Sequence, residues 1–410
     1  MQRTPKALRL HIAIFGRRNV GKSSILNALT HQQVSIVSDV AGTTTDPVEK
    51  TMELKPIGPV VFVDTAGIDD EGALGKLRVG KTRQVFDRTD VALLITEPGP
   101  WTNYEKAVTE QLQKLDIPVI VVVNKIDISP PPEKQLDEIR ASGLNPVPVC
   151  ALSGEGMDRL REQLVQHTPE GYFDSRRIIA DIIGPNALVV LVVPIDLEAP
   201  KGRLIVPQVQ TIRDILDADA ACVVVKETGL KQALARLREP PALVVTDSQG
   251  FESVARDTPE DVPLTSFSIL FARFKGDLAE LVRGVTAIDS LKSGDRVIIG
   301  EACTHHPVED DIGRVKIPRW INRRVGGGVK FEAFAGRDFP EDLSPYKLII
   351  HCGACMWNRR AMLTRIMKAR EAGVPITNYG LAIAYLHNIL PRALRGINAV
   401  TTDRPQPGNT

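Results

Sequence analysis

Short runs of mostly apolar residues alternate with amphipathic stretches along the first 167 residues. Such runs are typical of strands buried on both faces, and the stretches between them have helical spacing, with Asn103 as the expected N-cap of one helix. Strands separated by helices predict a parallel sheet with right-handed crossovers. The predicted strands are residues 10–15, 60–63, 91–95, 117–123 and 147–150, and the clearest helices are residues 103–115 and 132–141.

The rest of the chain repeats this alternation in two further segments. The sequence Thr-Pro-Glu-Gly at 168–171 ends the first segment, because proline and glycine interrupt helices. A third segment begins near Pro263, with a helix at 266–283. The pattern therefore predicts an α/β protein with domains at residues 1–170, 171–262 and 263–410. The predicted strands are residues 187–193, 222–225, 243–245, 296–299 and 347–350, and further helices are residues 204–216 and 230–237.

Composition narrows the possible classes of protein. The 410 residues include 51 Lys and Arg against 50 Asp and Glu, a formal net charge of +1, which argues against a dedicated nucleic-acid binder. The longest apolar runs are too short to cross a bilayer, and no secretory signal is visible at the start, so we expect a cytoplasmic protein with no membrane partner. Five cysteines are too few for a disulfide framework.

The first predicted strand leads into a phosphate-binding motif, GRRNVGKS, at residues 16–23. Gly16 and Gly21 allow backbone N–H groups to turn toward phosphates. Lys22 would place a positive charge at the β- and γ-phosphates, and the hydroxyl of Ser23 would bind Mg²⁺. We expect the neighbouring Ser24 to contact the nucleotide as well.

Three further motifs at predicted strand ends specify the nucleotide. Asp64 and Gly67 belong to a DTAG sequence, where an aspartate would reach Mg²⁺ and a glycine amide the γ-phosphate. In the NKID sequence, Asp127 would accept two N–H bonds from guanine, a pair that adenine lacks, so the site predicts GTP. The residues that complete the predicted base site are Asn124, Lys125, Cys150 and Ala151.

In order and spacing, these motifs resemble the translation-factor-like branch of small GTPases, the tRNA-modification and ribosome-assembly type. The sequence AGTTTD at 41–46 is similar to the switch I segment of that group, which implies that Thr44 closes on Mg²⁺. The resemblance also implies that Asn19 helps to hold K⁺. Ile68 stands where Ras-like enzymes have a water-orienting glutamine, so slow basal hydrolysis is expected.

A cysteine and histidine pattern, CTHH at 303–306 and HCGAC at 351–355, lies in the third segment. Cys352 and Cys355 can place two thiolates on one metal, and Cys303 can supply a third. Zinc would be satisfied by these three together with His305. An iron–sulfur cluster normally takes four thiolates, so one iron would carry a histidine or an exchangeable ligand. Free thiols are the third possibility, and spacing alone does not choose among them.

The combination of these segments resembles the HydF family, the maturation GTPases of iron-only (FeFe) hydrogenases. The similarity extends to the sequences FPEDL at 339–343, YKLIIHCGAC at 346–355 and VPITNYG at 374–380. It implies a P-loop GTPase domain, a small α/β dimerisation domain and a C-terminal α/β iron–sulfur domain. It further implies that Cys303, Cys352 and Cys355 bind a 4Fe–4S cluster, with a labile fourth position at which His305 is one possible ligand.

The resemblance also implies a role as a homodimeric scaffold or carrier. Such a protein receives a di-iron precursor made by two radical-SAM maturases and passes it to the apo FeFe-hydrogenase. A different class of function is an RNA-associated GTPase with a C-terminal zinc module. In that case a phosphate-facing basic patch would be formed by Arg323, Arg324, Arg359, Arg360, Lys368 and Arg370.

Overall fold

The computed structural model describes residues 5–30, 48–55, 57–65, 84–169, 177–194, 204–302, 311–336 and 338–401. The chain divides into two compact units, Met1–Ser175 and Arg176–Thr410. No helix among the described residues is both long enough and apolar enough to cross a membrane.

The first unit is built around a six-stranded sheet in the order β2-β3-β1-β4-β5-β6, in which only the β2–β3 pair is antiparallel. The central strands are mostly apolar and are buried along their whole length, as expected for a parallel sheet covered on both faces. The strands are β1 (Leu10–Phe15), β2 (Val48–Leu54), β3 (Gly58–Asp64), β4 (Val91–Thr96), β5 (Val119–Val123) and β6 (Pro146–Pro148), and the helices are α1 (Lys22–Thr30), α2 (Asn103–Lys114), α3 (Glu133–Ala141) and α4 (Met157–Gln166).

These elements confirm the predicted strands and helices of this segment, with two differences. Helix α2 is capped by Thr102 and not by Asn103, because Glu105 folds back and accepts a hydrogen bond from the Thr102 backbone N–H at 3.0 Å. Strand β2 was not predicted. It contains Lys50 and Glu53, so no continuous apolar run marks it.

The second unit holds two parallel four-stranded sheets, in the orders β10-β9-β7-β8 and β12-β11-β13-β14. One continuous hydrophobic core runs from Ile178 to Ile397 and contains residues of both sheets. The strands are β7 (Leu188–Val192), β8 (Ala221–Val225), β9 (Leu243–Thr246), β10 (Leu264–Ser266), β11 (Arg296–Glu301), β12 (Lys330–Ala335), β13 (Tyr346–His351) and β14 (Ile376–Asn378).

Helices of the second unit cover both sheets. The predicted helix at 266–283 is two helices, because the chain breaks at Gly276 and Asp277 caps the next helix by accepting the Glu280 N–H at 3.1 Å. The helices are α5 (Val206–Asp217), α6 (Leu230–Arg236), α7 (Phe251–Asp257), α8 (Phe267–Lys275), α9 (Leu278–Val285), α10 (Ile317–Val325), α11 (Arg359–Glu371), α12 (Tyr379–Leu386) and α13 (Leu390–Thr401).

Helix α8 lies between the two sheets of this unit. It follows β10, which pairs with β9, and it packs against α5 as well as against α11 and α12. The domain boundary predicted at 262/263 thus falls just before β10, which belongs to the β10-β9-β7-β8 sheet. The predicted domain boundaries stay predictions.

Candidate functional site

The phosphate loop connects β1 to α1, which begins at Lys22. The Lys22 side chain is buried, and its ammonium group donates hydrogen bonds back to the carbonyls of Gly16 and of Arg17, the latter at 2.9 Å. Ser23 is exposed at the start of the helix, where backbone N–H groups have no partner within the helix. The loop therefore offers free donors and a lysine at a helix N-terminus, which suits a polyphosphate.

Two glycines allow the phosphate loop to pass close to the ends of β4 and β5. The φ angles are +147° at Gly16 and +92° at Gly21, in the region that L side chains rarely adopt. A Cβ atom at Gly16 would lie 2.3 Å from the Ile95 carbonyl oxygen, and one at Gly21 would lie 2.2 Å from Asn124 Nδ2. Asn19 also has a positive φ, +65°, and is exposed.

Asp64 ends strand β3 beside this loop. Its side chain is buried, and β3 pairs with β1 on one side and with β2 on the other. The next residue, Thr65, fixes the strand end to β1 by donating from both its N–H and its hydroxyl to the Ile14 carbonyl, at 3.3 and 2.6 Å. Predicted residues Thr44 and Gly67, with the rest of the switch I sequence, lie outside the described residues.

Asn124 joins the phosphate loop to the predicted guanine site. Its buried side chain donates to the Val20 carbonyl at 3.0 Å and accepts from the Ala151 N–H at 3.1 Å. Lys125 has φ +65° and its ammonium lies 2.8 Å from Glu97. Asp127 is exposed, as a residue that binds a base must be before the base arrives.

Cys150 lies at the start of the 150–154 turn and is buried. Its carbonyl accepts from the Gly154 N–H at 2.9 Å, and its sulfur accepts from the Ser153 N–H at 3.4 Å. These contacts hold the turn that presents Ala151. The described residues predicted for the nucleotide therefore meet at the carboxyl edge of one sheet, and they fit GTP with Mg²⁺.

The candidate metal centre lies at the carboxyl ends of β11 and β13. These strands pair in parallel, with Gly300 opposite His351. The Cys352 N–H donates to the Gly300 carbonyl at 2.8 Å, and the Ala302 N–H donates to the Cys352 sulfur at 3.1 Å. Ala302, the residue that precedes Cys303 in the sequence, is thus in contact with the Cys352 sulfur. Cys303 and His305 themselves lie outside the described residues.

The CxxC turn is tight. Ala354 adopts φ +52°, and the Trp357 N–H donates to the Ala354 carbonyl at 3.1 Å. Burial raises the pKa of the Cys355 thiol, while the charge of Lys275 and the N–H groups of Cys355 and Met356 favour the thiolate. Within the part of the chain that the structure describes, no group of three or more His, Cys, Asp or Glu side chains is placed to hold a metal ion.

His351 ends strand β13 and is fully buried. Its Nδ1 donates to the Cys352 carbonyl at 2.8 Å, and its Nε2 accepts from Arg365 Nη1 at 2.6 Å. Burial and the Arg365 charge lower the pKa of His351 to about 3. The neutral ring has both nitrogens engaged, so it orients the strand end and is not a metal ligand in this arrangement.

Lys275, which sequence analysis missed, reaches the CxxC turn from the end of α8. Its side chain is 1% exposed, and its ammonium donates to the carbonyls of Ala354, Cys355 and Trp357 at 3.2, 3.0 and 2.6 Å. Burial lowers the pKa of Lys275 to about 8, and the thiols of Cys355 and Cys352 act in the opposite direction. Because these partners are about 80 residues away along the chain, no local sequence signal marks this lysine.

Tyr379 follows β14 at the same edge of the sheet. Its hydroxyl oxygen is buried and has no hydrogen-bond partner among the described residues. Burial, and then the charges of Cys352 and Glu301, raise the pKa of this phenol well above its usual value. An unpartnered donor near Cys352 fits a site that is completed by a bound group.

Comparison with known families gives three matches along the chain. Residues 11–125 match a family described as "50S ribosome-binding GTPase". Residues 178–276 match the "Hydrogen maturase F dimerization domain", and residues 279–396 match the "Hydrogen maturase F tetramerization domain". The chain belongs to the hydrogen maturase F family. The resemblance drawn from the motifs is therefore confirmed.

The GTPase part of this chain is also similar to curated GTPases. GTPase Der of Wolinella succinogenes is 36% identical over 189 residues, which are 44% of this chain and 39% of Der. The tRNA modification GTPase MnmE of a Synechococcus strain is 38% identical over 162 residues, 39% of this chain and 34% of MnmE. GTPase Era of a Thermoanaerobacter strain is 30% identical over 243 residues, 53% of this chain and 76% of Era.

These matches confirm two predictions. The first unit is a P-loop GTPase domain with a mainly parallel sheet, the kind of domain that binds and hydrolyses GTP with Mg²⁺. The second unit carries two domains named for self-association, so the family is one whose members form oligomers. The chain spans well under half of the length of Der and of MnmE.

Proposed function

We propose that this protein is a GTP-hydrolysing scaffold that binds a 4Fe–4S cluster and delivers a di-iron precursor to apo FeFe-hydrogenase. The observation that carries the proposal is the union, in one chain, of a GTPase domain with both hydrogen maturase F domains. Two radical-SAM maturases would supply the precursor, as the family resemblance implies. The site of action that we propose is the cytoplasm.

The cluster would be held by Cys303, Cys352 and Cys355. Support comes from the hydrogen bond between Ala302 and the Cys352 sulfur, since a single peptide link separates Ala302 from Cys303. Three thiolates leave one iron with an exchangeable ligand, for which His305 is a candidate. A carrier needs such a position, because its cargo must bind and then leave.

The nucleotide site would work as a switch. Lys22 would stabilise charge on the β- and γ-phosphates, Ser23, Thr44 and Asp64 would hold Mg²⁺, and Asn19 would help to hold K⁺. Gly67 would contact the γ-phosphate through its amide. We propose that hydrolysis changes the order of the switch segments and so gates the exchange of partners.

We propose a homodimer formed through the edge of the β10-β9-β7-β8 sheet. Strand β8 ends this sheet, and Val224 on it is 44% exposed. Leu216 on the neighbouring helix α5 is 58% exposed. Exposed apolar side chains at an edge strand favour pairing with another chain.

An RNA-associated GTPase with a zinc module has less support. Arg324, a member of the predicted basic patch, is held by Asp289 at 2.6 Å and stacks on Tyr385, so part of that patch serves the fold. We therefore do not propose nucleic acid as a partner.

Anaerobic purification followed by metal analysis tests the proposal. We expect iron and sulfide at about four each per chain, a broad absorbance near 400 nm that dithionite bleaches, and an EPR signal in the reduced protein. Activation of apo FeFe-hydrogenase by the loaded protein is the functional readout. Stoichiometric zinc without iron, or co-purified RNA, would contradict the proposal.

A further inference from the structure

The environment of Lys275 is unusual for a lysine. Its ammonium group has three N–H donors, and three backbone carbonyls of the 354–357 turn accept from it. The side chain is 1% exposed, and its charge also lies over the Phe271 ring, 5.7 Å from the centroid. All of its hydrogen-bonding capacity is therefore directed at one turn, the turn that carries Cys355.

A buried ammonium is expensive for a fold unless negative charge or strong acceptors compensate it. Here the acceptors are neutral carbonyls, and among the described residues the acidic groups that act on Lys275 are the thiols of Cys355 and Cys352. A neutral donor at the end of α8 could serve these carbonyls without burying a charge. The position therefore makes physical sense if the turn holds a group of net negative charge.

A cluster on three thiolates is such a group. A 4Fe–4S core of charge 2+ with three thiolates has a net charge of −1, and one-electron reduction makes it −2. A fixed positive charge nearby favours the reduced form, and charge and hydrogen bonding are among the factors that set cluster potentials.

We propose that Lys275 is a positioning residue for the cluster, which holds the CxxC turn in its ligating shape and keeps a positive charge beside Cys352 and Cys355. This inference rests on the proposed cluster. It assigns two separable effects to Lys275. By holding the CxxC turn, Lys275 helps to retain the cluster, and by its positive charge it raises the reduction potential of the cluster.

Two substitutions separate these effects. Lys275→Gln keeps a neutral donor but removes the charge, so we expect iron content close to that of the unmodified protein and a more negative reduction potential. Lys275→Met removes both the hydrogen-bond donor and the charge, so the iron content should fall at least twofold in addition to the change in potential. For the potential we expect about a tenfold change in the reduction equilibrium, which is about 59 mV for one electron.

Arg273→Gln is the matched control. Arg273 lies two residues earlier on α8 and is partly buried, whereas Lys275 is fully buried. Arg273 pairs with Asp181 at 2.9 Å, away from the CxxC turn. All four proteins are loaded anaerobically with iron and sulfide, and an EPR-monitored redox titration gives each potential. Circular dichroism melting shows whether each variant folds, and Lys275→Gln decides the outcome if Lys275→Met does not fold.

The outcomes are distinct. A potential shifted in Lys275→Gln but not in Arg273→Gln supports the inference. Equal potentials and equal iron content in Lys275→Gln and the unmodified protein would overturn it while leaving the proposed cluster intact. An unmodified protein that takes up no iron would overturn the proposed function, and the role of Lys275 with it.

Discussion

At the scale of single residues, Asn124 connects two loops that must act on one nucleotide. Its amide makes one hydrogen bond to Val20 in the phosphate loop and one to Ala151 in the 150–154 turn. Because the side chain is 2% exposed, water cannot replace these bonds. The phosphate and base sites are therefore held in fixed register by a single side chain.

Replacing Asn124 by alanine should both destabilise the first unit and weaken nucleotide binding. The Val20 carbonyl and the Ala151 N–H lose their partners, at about 1–3 kcal/mol each, so the free energy of unfolding should fall by roughly 2–6 kcal/mol. Urea unfolding and titration with a fluorescent GDP analogue measure the two effects. Gln113→Ala is the control, since Gln113 is exposed and donates one bond to Ser142. Equal stability of the two variants would contradict the bridging role.

The sequence marks the position of Asn124 but gives no signal for Lys275, for a physical reason. Asn124 follows an apolar strand within a short motif, so its position and its chemistry are both local. Lys275 ends an amphipathic helix, as many surface lysines do, and only the packing of α8 between two sheets places it against the CxxC turn. The burial of His351 is likewise a property of the fold that the neighbouring sequence does not reveal.

At the scale of elements, the Asp289 side chain links a helical turn to the helices α10 and α12 of the second unit. It lies in the helical turn Thr286–Ser290 and accepts from Arg324 of α10 at 2.6 Å and from the Tyr385 hydroxyl of α12. The hydrogen bond to Arg324, then that to Tyr385, lower the pKa of Asp289. The carboxylate form is thus the one that joins these helices.

The contribution of Asp289 should depend on pH. A carboxyl group whose pKa is lower in the folded than in the unfolded chain stabilises the fold above its unfolded value of about 3.8, and this stabilisation disappears as the pH falls through the folded value. Asp289→Asn should therefore lower the free energy of unfolding at pH 7 by about 1 kcal/mol or less, since the side chain is 46% exposed.

Chemical denaturation at pH 7 and near pH 3 measures this difference. The gap between the unmodified protein and Asp289→Asn should narrow at the lower pH. Asp261→Asn, a change at an exposed carboxylate of the same unit, corrects for the general effect of removing one charge. A gap that stays constant between the two pH values would show that Asp289 does not join the helices through its charge.

Element prediction worked where burial on both faces of the sheet requires a nearly continuous apolar run, as in β1, β4 and β5. It was less successful where one face is exposed. Strand β12 contains Lys330 and Glu332 and is only partly buried, so its sequence does not stand out. The break between α8 and α9 was also missed, although Gly276 followed by Asp277 is a recognisable end and start signal.

At the scale of the whole molecule, each hydrophobic core lies within one of the two units. The cores of the first unit use residues between Leu10 and Leu164, and the core of the second uses residues between Ile178 and Ile397. The described residues of the nucleotide site all belong to the first unit, and Cys352, Cys355 and Lys275 all belong to the second. Each site is thus supported by a core of its own.

This organisation predicts that loss of one function leaves the other intact. Asp127→Asn replaces the acceptor for the guanine N–H groups, so GTP turnover should fall at least tenfold while iron content is unchanged. Cys352→Ser removes a proposed cluster ligand, so the protein should lose its colour while GTP hydrolysis persists. Phosphate release and iron analysis on the same preparations measure both. Loss of iron in Asp127→Asn, or loss of hydrolysis in Cys352→Ser, would show instead that the two sites depend on one another.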